Sequence, residues 1–100
     1  MTVYVVAKLK INDPETYAKY SDGFMDILPR YGGKLLSVDD RAEVIEGDWP
    51  YNRTVLLEFP DKAEMKAWYN SADYQALVKH RFAASTADIA LIEAFQAPAN

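Results

Sequence analysis

The sequence contains no cysteine and only one histidine, His80, among its 100 residues. Without cysteine the chain has no disulfide bonds, no thiolate metal ligands and no cysteine nucleophile. A single histidine cannot supply the two imidazoles of a His-Glu-x-x-His zinc site. The chain also lacks a glycine-rich phosphate loop and a Gly-x-Ser-x-Gly nucleophile motif. The common catalytic motifs are therefore missing, and we expect neither a metal nor a cofactor.

Basic residues and long apolar runs are also scarce. Eleven lysines and arginines stand against 15 acidic residues, for a net charge of −4. Because the basic residues are scattered, binding to nucleic acid or to an anionic membrane is disfavoured. No apolar run approaches the roughly 20 residues of a membrane span, and the first residues lack a signal-peptide pattern. We therefore expect a cytoplasmic protein.

The length and composition are typical of one globular domain. One hundred residues can bury one hydrophobic core but not a second independent one. Half of the residues are apolar and about a quarter are charged, as in ordinary folded proteins. We predict a single domain that covers residues 1–100.

The first third of the chain predicts a strand and then a helix. Alternating apolar residues over positions 2–11 are typical of a strand with one buried side. Asp13 as N-cap and Pro14 at the first helical position start the helix. Its apolar stripe recurs every three or four residues as far as Tyr31, and the glycines at positions 32 and 33 end it.

The remaining residues predict two or three strands and a second helical region. Residues 34–38 and 42–46 form either a strand pair or one strand bent at positions 39–40. A turn over residues 47–51 follows, in which Trp49 covers a core edge or reaches a partner subunit. Residues 52–60 form a strand, and Asp61 caps a helix that restarts at Ser71. A last strand covers residues 88–95, and Pro98 closes the chain.

The two halves repeat one pattern, because aligning Asp13 with Asp61 also aligns Tyr20 with Trp68. The predicted fold class is therefore α+β, a ferredoxin-like β-α-β-β-α-β sandwich with a four-stranded antiparallel sheet and its helices on one face. The other face is half apolar and uncovered, so we expect two copies to pack these faces together as a homodimer. That face carries Tyr4, Val6, Leu56, Ala90 and Ile92 among Lys8 and Glu58.

Four segments resemble a known family: YVVAKLKINDPETYAKY, RYGGKLL, EVIEGDWPYNRTVLLEFPD, and AWYNSADYQAL followed by Arg81. They are similar to the bacterial domain-of-unknown-function family numbered 1330, over nearly the whole chain. The resemblance implies a dimeric α/β barrel of the ferredoxin-like group, and no known activity. The wider superfamily includes cofactor-independent monooxygenases, haem-degrading enzymes and small-ligand binders, so the fold alone selects no function. Many members have Arg-Gly-Gly where this chain has Val38-Asp39-Asp40, so no site that relies on that arginine is expected here.

Arg81 is the main candidate site residue. It falls on the inward stripe of the last helix, where an unpaired guanidinium would cost several kcal/mol. It therefore either pairs with Glu58, Glu93 or a carboxylate of residues 39–43, or it binds the anionic group of a ligand. His80 lies off this stripe and is expected to face solvent.

The other candidates also have a structural and a functional interpretation. Glu58 either pairs with Lys8 on a neighbouring parallel strand or is a desolvated carboxylate that could act as a base. Asp39, Asp40 and Glu43 could bind a hard cation, but charged bends are usually only solvated. The helical aromatics either fill the core or surround a planar ligand with polar edges; they are Tyr17, Tyr20, Trp68, Tyr69 and Tyr74.

Two hypotheses for function follow. In the first, a homodimer binds a small aromatic or carboxylic molecule between helices and sheet, and it is either a binding protein or a cofactor-independent enzyme. In the second, the chain is a non-catalytic dimerisation module whose aromatics are all core and whose charges are all paired. The first hypothesis uses Arg81 as anion anchor, Tyr17, Tyr20, Trp68 and Tyr74 as walls, and Arg53 and Glu58 as secondary polar contacts.

Overall fold

A four-stranded antiparallel sheet carries three α-helices on one face in the computed structural model, which describes residues 1–96. The strand order is β2-β3-β1-β4, so β1 is central. The predicted α+β ferredoxin-like fold class is confirmed. The elements are β1 (Val3–Ile11), α1 (Pro14–Ile27), a 3₁₀ turn (Leu28–Tyr31), β2 (Lys34–Asp39), β3 (Arg53–Phe59), α2 (Lys62–Asn70), α3 (Ala72–Ala84) and β4 (Ser85–Glu93).

Side-chain caps start all three helices, as the sequence predicts. The carboxylate of Asp13 accepts a hydrogen bond from the Thr16 amide at 3.2 Å, and that of Asp61 accepts one from the Glu64 amide at 2.8 Å. The Ser71 hydroxyl accepts from the Tyr74 amide at 3.1 Å, where the chain turns from α2 into α3. The 3₁₀ turn ends at Gly32, whose φ of 72° is the left-handed conformation that glycine adopts at little cost.

The alternation of β1 decides which side of the sheet is buried. Val3, Val5, Ala7 and Leu9 are buried beneath the helices, on what we call the covered face of the sheet. The opposite side, the open face, carries no helix. The register pairs Val6 with Leu56 and Ala90, and Tyr4 with Ile92, so the predicted members of the open face do share one side.

The predicted strand over residues 42–46 and the predicted bounds of the last strand, residues 88–95, are wrong. Residues 42–46 form no strand, since β2 ends at Asp39 and an exposed loop follows. Asn52 ties the end of this loop to β1, because its side chain accepts from the Ile11 amide at 2.8 Å and donates to the Ile11 carbonyl at 3.0 Å. β4 begins at Ser85, three residues before the predicted start. The predicted role of Pro98 lies outside the described residues.

The predicted pair between Lys8 and Glu58 is also wrong, because β3 runs antiparallel to β1. The register places Thr54 opposite Lys8, and Tyr4 opposite Glu58. Glu58 instead lies across from Lys34 of β2, with Nζ and Oε2 3.8 Å apart. The Lys8 ammonium lies over two aromatic rings of the 40–52 loop, 5.2 Å from the ring centre of Trp49 and 5.0 Å from that of Tyr51.

A β-bulge interrupts the pairing of β2 with β3. Leu35 pairs with Leu57, but the next regular pair joins Ser37 to Leu56, so one extra residue is inserted in β2. Beyond the bulge, Val38 pairs with Val55 and faces the helices.

Within residues 1–96, no helix is long and apolar enough to cross a membrane.

Candidate functional site

A cavity of about 270 Å³ lies between the covered face and the helices. Its walls come from all four strands and all three helices. Exposed Met25, Leu35 and Val38 line it beside β2, so this side opens to solvent. Six of the seven predicted contact residues line this cavity: Arg81, Tyr20, Trp68, Tyr74, Tyr17 and Arg53.

Glu58, the seventh predicted contact residue, does not line the cavity. It alternates with Leu57 and Phe59, which are buried on the covered face, so its side chain belongs to the open face. His80 is partly buried instead of facing solvent and does not line the cavity either. Tyr69, one of the helical aromatics, lies at the wall beside Trp68.

Arg81 is the most deeply buried charged side chain of the site. The residue is 5% exposed, and its Nε–H has no hydrogen-bond acceptor among the described residues. Its guanidinium carbon lies 5.6 Å from the ring centre of Tyr20 and 5.1 Å from that of Phe82. These contacts with aromatic rings stabilise a cation only modestly, by about 0.5–2 kcal/mol.

Three of the carboxylates predicted to neutralise Arg81 have other partners. Glu93 Oε1 lies 2.7 Å from Lys62 Nζ, Glu58 lies near Lys34, and Asp40 pairs with Arg53. Within residues 1–96, Arg81 forms no salt bridge. The ion-pair interpretation of Arg81 therefore finds no partner in the described part of the chain.

Two tyrosine hydroxyls meet beside Arg81. The hydroxyl oxygens of Tyr20 and Tyr74 are 2.6 Å apart in a buried hydrogen bond. Whichever hydroxyl donates, the other keeps its own proton available for a further acceptor. Burial raises the pKa of Tyr20, and the neighbouring Tyr74 adds to this rise. Burial likewise raises the pKa of Tyr74, so both hydroxyls are protonated near neutral pH.

Arg53, at the other end of this polar wall, does have a carboxylate partner. Its Nε and one terminal nitrogen lie 2.6 and 2.9 Å from the two oxygens of Asp40, a bidentate pair. The hydrogen bonds from Arg53 lower the pKa of Asp40. The Arg53 guanidinium also lies over the ring of Tyr17, at 5.3 Å from its centre.

Sequence reasoning missed this Asp40–Arg53 pair. If the pairing of Leu35 with Leu57 continued along β2 without the bulge, Asp39 would lie opposite Arg53. The extra residue places Asp39 opposite Thr54 instead and brings Asp40 to Arg53. The strand order and the acidic bend were visible in the sequence, but the bulge had no glycine to signal it.

Trp68 forms the floor of the cavity among other aromatic rings. It is 2% exposed, and its ring centre lies 4.2 Å from that of Tyr74 and 5.2 Å from that of Phe59. Phe24 meets it edge-on at 6.0 Å. The indole N–H is buried and has no acceptor among the described residues. Together with Arg81 Nε, it is one of two buried side-chain donors at the cavity wall that have no acceptor within residues 1–96.

The described residues gather no group of three or more His, Asp or Glu side chains that could hold a metal ion. At the acidic bend, Asp40 pairs with Arg53, and Asp39 accepts a hydrogen bond from the Arg41 amide at 2.7 Å. The chemistry available at the cavity is therefore that of one buried cation, tyrosine hydroxyls and a large apolar surface.

Comparisons with solved structures agree with this fold. A protein of unknown function from Rhodopseudomonas palustris is 17% identical, with a TM-score of 0.83, and the match covers 96% of this chain and 84% of that one. A dimeric ferredoxin-like protein of unknown function from Jannaschia is 14% identical, with a TM-score of 0.74 and coverage of 94% and 100%. SnoaB from Streptomyces nogalater, a cofactor-independent oxygenase, is 15% identical, with a TM-score of 0.68 and coverage of 96% and 95%. At these identities the likeness concerns the fold.

A comparison with curated proteins finds no match. The family described as "Domain of unknown function (DUF1330)" matches residues 2–95, nearly the whole chain, and this confirms the resemblance carried by the four sequence segments. The chain therefore belongs to the DUF1330 family.

Proposed function

We propose that the protein is a homodimer that binds a small, planar organic acid in the cavity between helices and sheet. The observation that carries this proposal is Arg81, a buried cation without a carboxylate partner in the described residues, at the wall of a largely apolar cavity. A buried charge that lacks a counter-ion is costly, and an anionic ligand removes that cost.

The surrounding groups fit the two ends of such a ligand. A carboxylate beside Arg81 can accept from the guanidinium and from the free hydroxyl proton of the Tyr20–Tyr74 pair. The ring of the ligand then lies among Trp68 and Phe24, which supply flat apolar surface. The volume of about 270 Å³ lies near the lower end of ligand pockets, so we propose a ligand of one or two rings.

The lining residues favour binding over general-base catalysis. Within residues 1–96, no histidine lines the cavity and no carboxylate does so either. The tyrosines are poor bases because their pKa values are raised by burial. A cofactor-independent reaction at this site would therefore need a ligand that ionises by itself, which Arg81 and the hydroxyls would stabilise as an anion.

The test is calorimetric titration with benzoate and 2-naphthoate, with the neutral amide benzamide as a charge control. We expect the acids to bind the wild type, and Arg81→Met to weaken that binding at least tenfold, since a charge-assisted hydrogen bond contributes about 1.5–3 kcal/mol. Methionine keeps much of the apolar volume of Arg81.

The matched control is Arg30→Met, which removes an exposed arginine that pairs with Asp73 and does not line the cavity. Arg30→Met should bind the acids as the wild type does. Acids that bind Arg81→Met as tightly as the wild type would remove Arg81 as the anchor. If no acid of the series binds the wild type, the dimerisation module without a ligand becomes the better hypothesis.

The dimer is proposed through the open face. Ile92 is 49% exposed there, beside partly buried Val6 and Leu56, and a second copy would cover these apolar side chains. The dimeric state stated for the Jannaschia protein and for a ferredoxin-like protein from Bacteroides fragilis supports the proposal.

Light scattering should return the mass of two chains for the wild type and of one chain for Leu56→Glu. Lys66→Glu, on the exposed side of α2, is the control and should remain dimeric. The cytoplasmic location and the single-domain organisation stay predictions.

A further inference from the structure

We infer that the cavity selects organic acids with a single negative charge, and that Asp40 sets this selectivity by occupying Arg53, the second arginine of the site. The inference rests on the proposed function, because it concerns the same cavity. It goes further by naming the charge of the ligand and the residue that limits it.

The two arginines lie along one side of α1. Arg53 is 5.3 Å from the ring centre of Tyr17, and Arg81 is 5.6 Å from that of Tyr20. The two rings are 5.5 Å apart, on neighbouring turns of the helix. Both guanidiniums therefore lie next to a single tyrosine pair, and both arginines line the same cavity.

Their partners differ. Arg53 holds both oxygens of Asp40, at 2.6 and 2.9 Å, so this pair is electrically neutral. Arg81 has no carboxylate partner within residues 1–96. Two cations and one carboxylate leave one positive charge, which one carboxylate of a ligand neutralises.

A second carboxylate on the ligand would meet an occupied site. It would have to displace Asp40 from Arg53 or remain without a counter-ion beside apolar side chains, and either outcome costs free energy. Asp40 comes from the loop beyond β2 and its side chain is 54% exposed. It can therefore be replaced without opening a hole in the core.

The experiment compares benzoate, one charge, with isophthalate, two charges on the same ring, by calorimetric titration near neutral pH. The wild type should prefer benzoate. Asp40→Asn should raise the affinity for isophthalate on the order of tenfold, since it frees a charge-assisted contact, while benzoate affinity changes much less. Asp39→Asn is the matched control: it removes the neighbouring carboxylate, which accepts only a backbone amide, and should leave the preference unchanged.

A second measurement uses Arg53→Met, which leaves the carboxylate of Asp40 without its partner at the site. It should weaken benzoate binding, and adding Asp40→Asn to Arg53→Met should restore it, because the site again has one net positive charge. This rescue distinguishes a charge effect from damage to the fold, which a second substitution would not repair.

The inference is overturned if the wild type binds isophthalate at least as tightly as benzoate, or if Asp40→Asn and Asp39→Asn raise isophthalate affinity equally. Failure of the proposed function looks different, since then benzoate would not bind the wild type, or would bind Arg81→Met equally well.

Discussion

The two faces of the sheet handle their polar groups in opposite ways. On the open face, charged and polar side chains have interaction partners: Glu58 lies near Lys34, which has the opposite charge, and the Tyr51 hydroxyl donates a hydrogen bond to Asp88 at 2.6 Å. Between the covered face and the helices, Arg81 is buried without a carboxylate partner and the Trp68 N–H is buried without an acceptor among residues 1–96. The open face therefore has polar groups with partners but exposed apolar side chains. The helix side has buried apolar side chains and, beside the Asp40–Arg53 and Tyr20–Tyr74 pairs, two buried side-chain donors without partners in the described part of the chain.

This difference indicates what each face needs. Exposed Ile92 and its neighbours on the open face are stabilised by apolar cover, which a second copy of the chain would supply. Arg81, which has no carboxylate partner within residues 1–96, would be stabilised by the anion that we propose. A buried cation without a counter-ion is costly in a purely structural core, so we expect function on the helix side of the sheet.

The largest expected effect separates the two tryptophans. Trp68→Ala should lower the free energy of unfolding by about 3–5 kcal/mol, because it empties a buried site surrounded by aromatic rings. Trp49→Ala, in the loop over the open face, should cost about 1 kcal/mol, since that residue is 37% exposed and its ring contacts Lys8, Thr54 and Tyr51. Urea unfolding at a fixed protein concentration measures both. Equal losses would contradict the distinction between the two faces.

The next effect compares two tyrosine hydroxyls. Tyr20→Phe leaves the buried Tyr74 hydroxyl without its partner and should cost about 1–3 kcal/mol. Tyr51→Phe removes an exposed hydrogen bond to Asp88 and should cost much less than Tyr20→Phe. If Tyr51→Phe proved the more damaging change, the open face would hold the more important polar network.

The pH dependence of Tyr20→Phe gives an independent check. Burial raises the folded-state pKa of Tyr20 above its unfolded value, so its contribution is complete below about pH 10 and is lost as the pH rises further. Between its unfolded-state and folded-state pKa values, a buried tyrosine of this kind lowers the free energy of unfolding by about 1.4 kcal/mol for each pH unit. Tyr20→Phe should therefore show a shallower alkaline loss than the wild type in chemical unfolding. An unchanged slope would mean that Tyr20 is not the buried, protonated group described above.

The smallest effect concerns the ion pair at the cavity. The Arg53 hydrogen bonds lower the pKa of Asp40 in the folded protein. The pair therefore stabilises the protein fully above the unfolded-state pKa of about 3.9, and this stabilisation is lost as the pH falls through the folded-state pKa. Asp40→Asn should cost less than about 1 kcal/mol near pH 6, because the carboxylate is half exposed, and the gap to the wild type should close in acid.

Glu58→Gln is the open-face counterpart of this change, since it removes the carboxylate that lies 3.8 Å from Lys34 without breaking a bidentate pair. It should cost less than Asp40→Asn at pH 6. A gap for Asp40→Asn that widened as the pH fell would contradict the assigned direction of the Asp40 pKa.

The helix starts and the faces of β1, β3 and β4 could be predicted because they depend on local patterns. Asp13, Asp61 and Ser71 cap helices where the sequence places them, and the alternation of β1 identifies its buried side. The same patterns brought six predicted contact residues to one cavity, although their role in binding stays a prediction. The alternation of β3 also places Glu58 on the correct face of the sheet. Its partner is predicted wrongly, because the partner depends on the directions of the neighbouring strands, which the residues around Glu58 do not indicate.

Local patterns in the sequence are enough to predict the order of elements, the inward position of Arg81 and the apolar character of the open face, since each follows from residues a few positions apart. The partners of the two arginines depend on long-range pairing instead: Arg81 has no carboxylate within the described chain, whereas Arg53 has one. One inserted residue between Leu35 and Ser37 shifts the register of β2, so that Val38 faces the cavity and Asp40 reaches Arg53. Strand side chains alternate with a period of two, and a shift of one residue therefore changes which groups meet across the sheet.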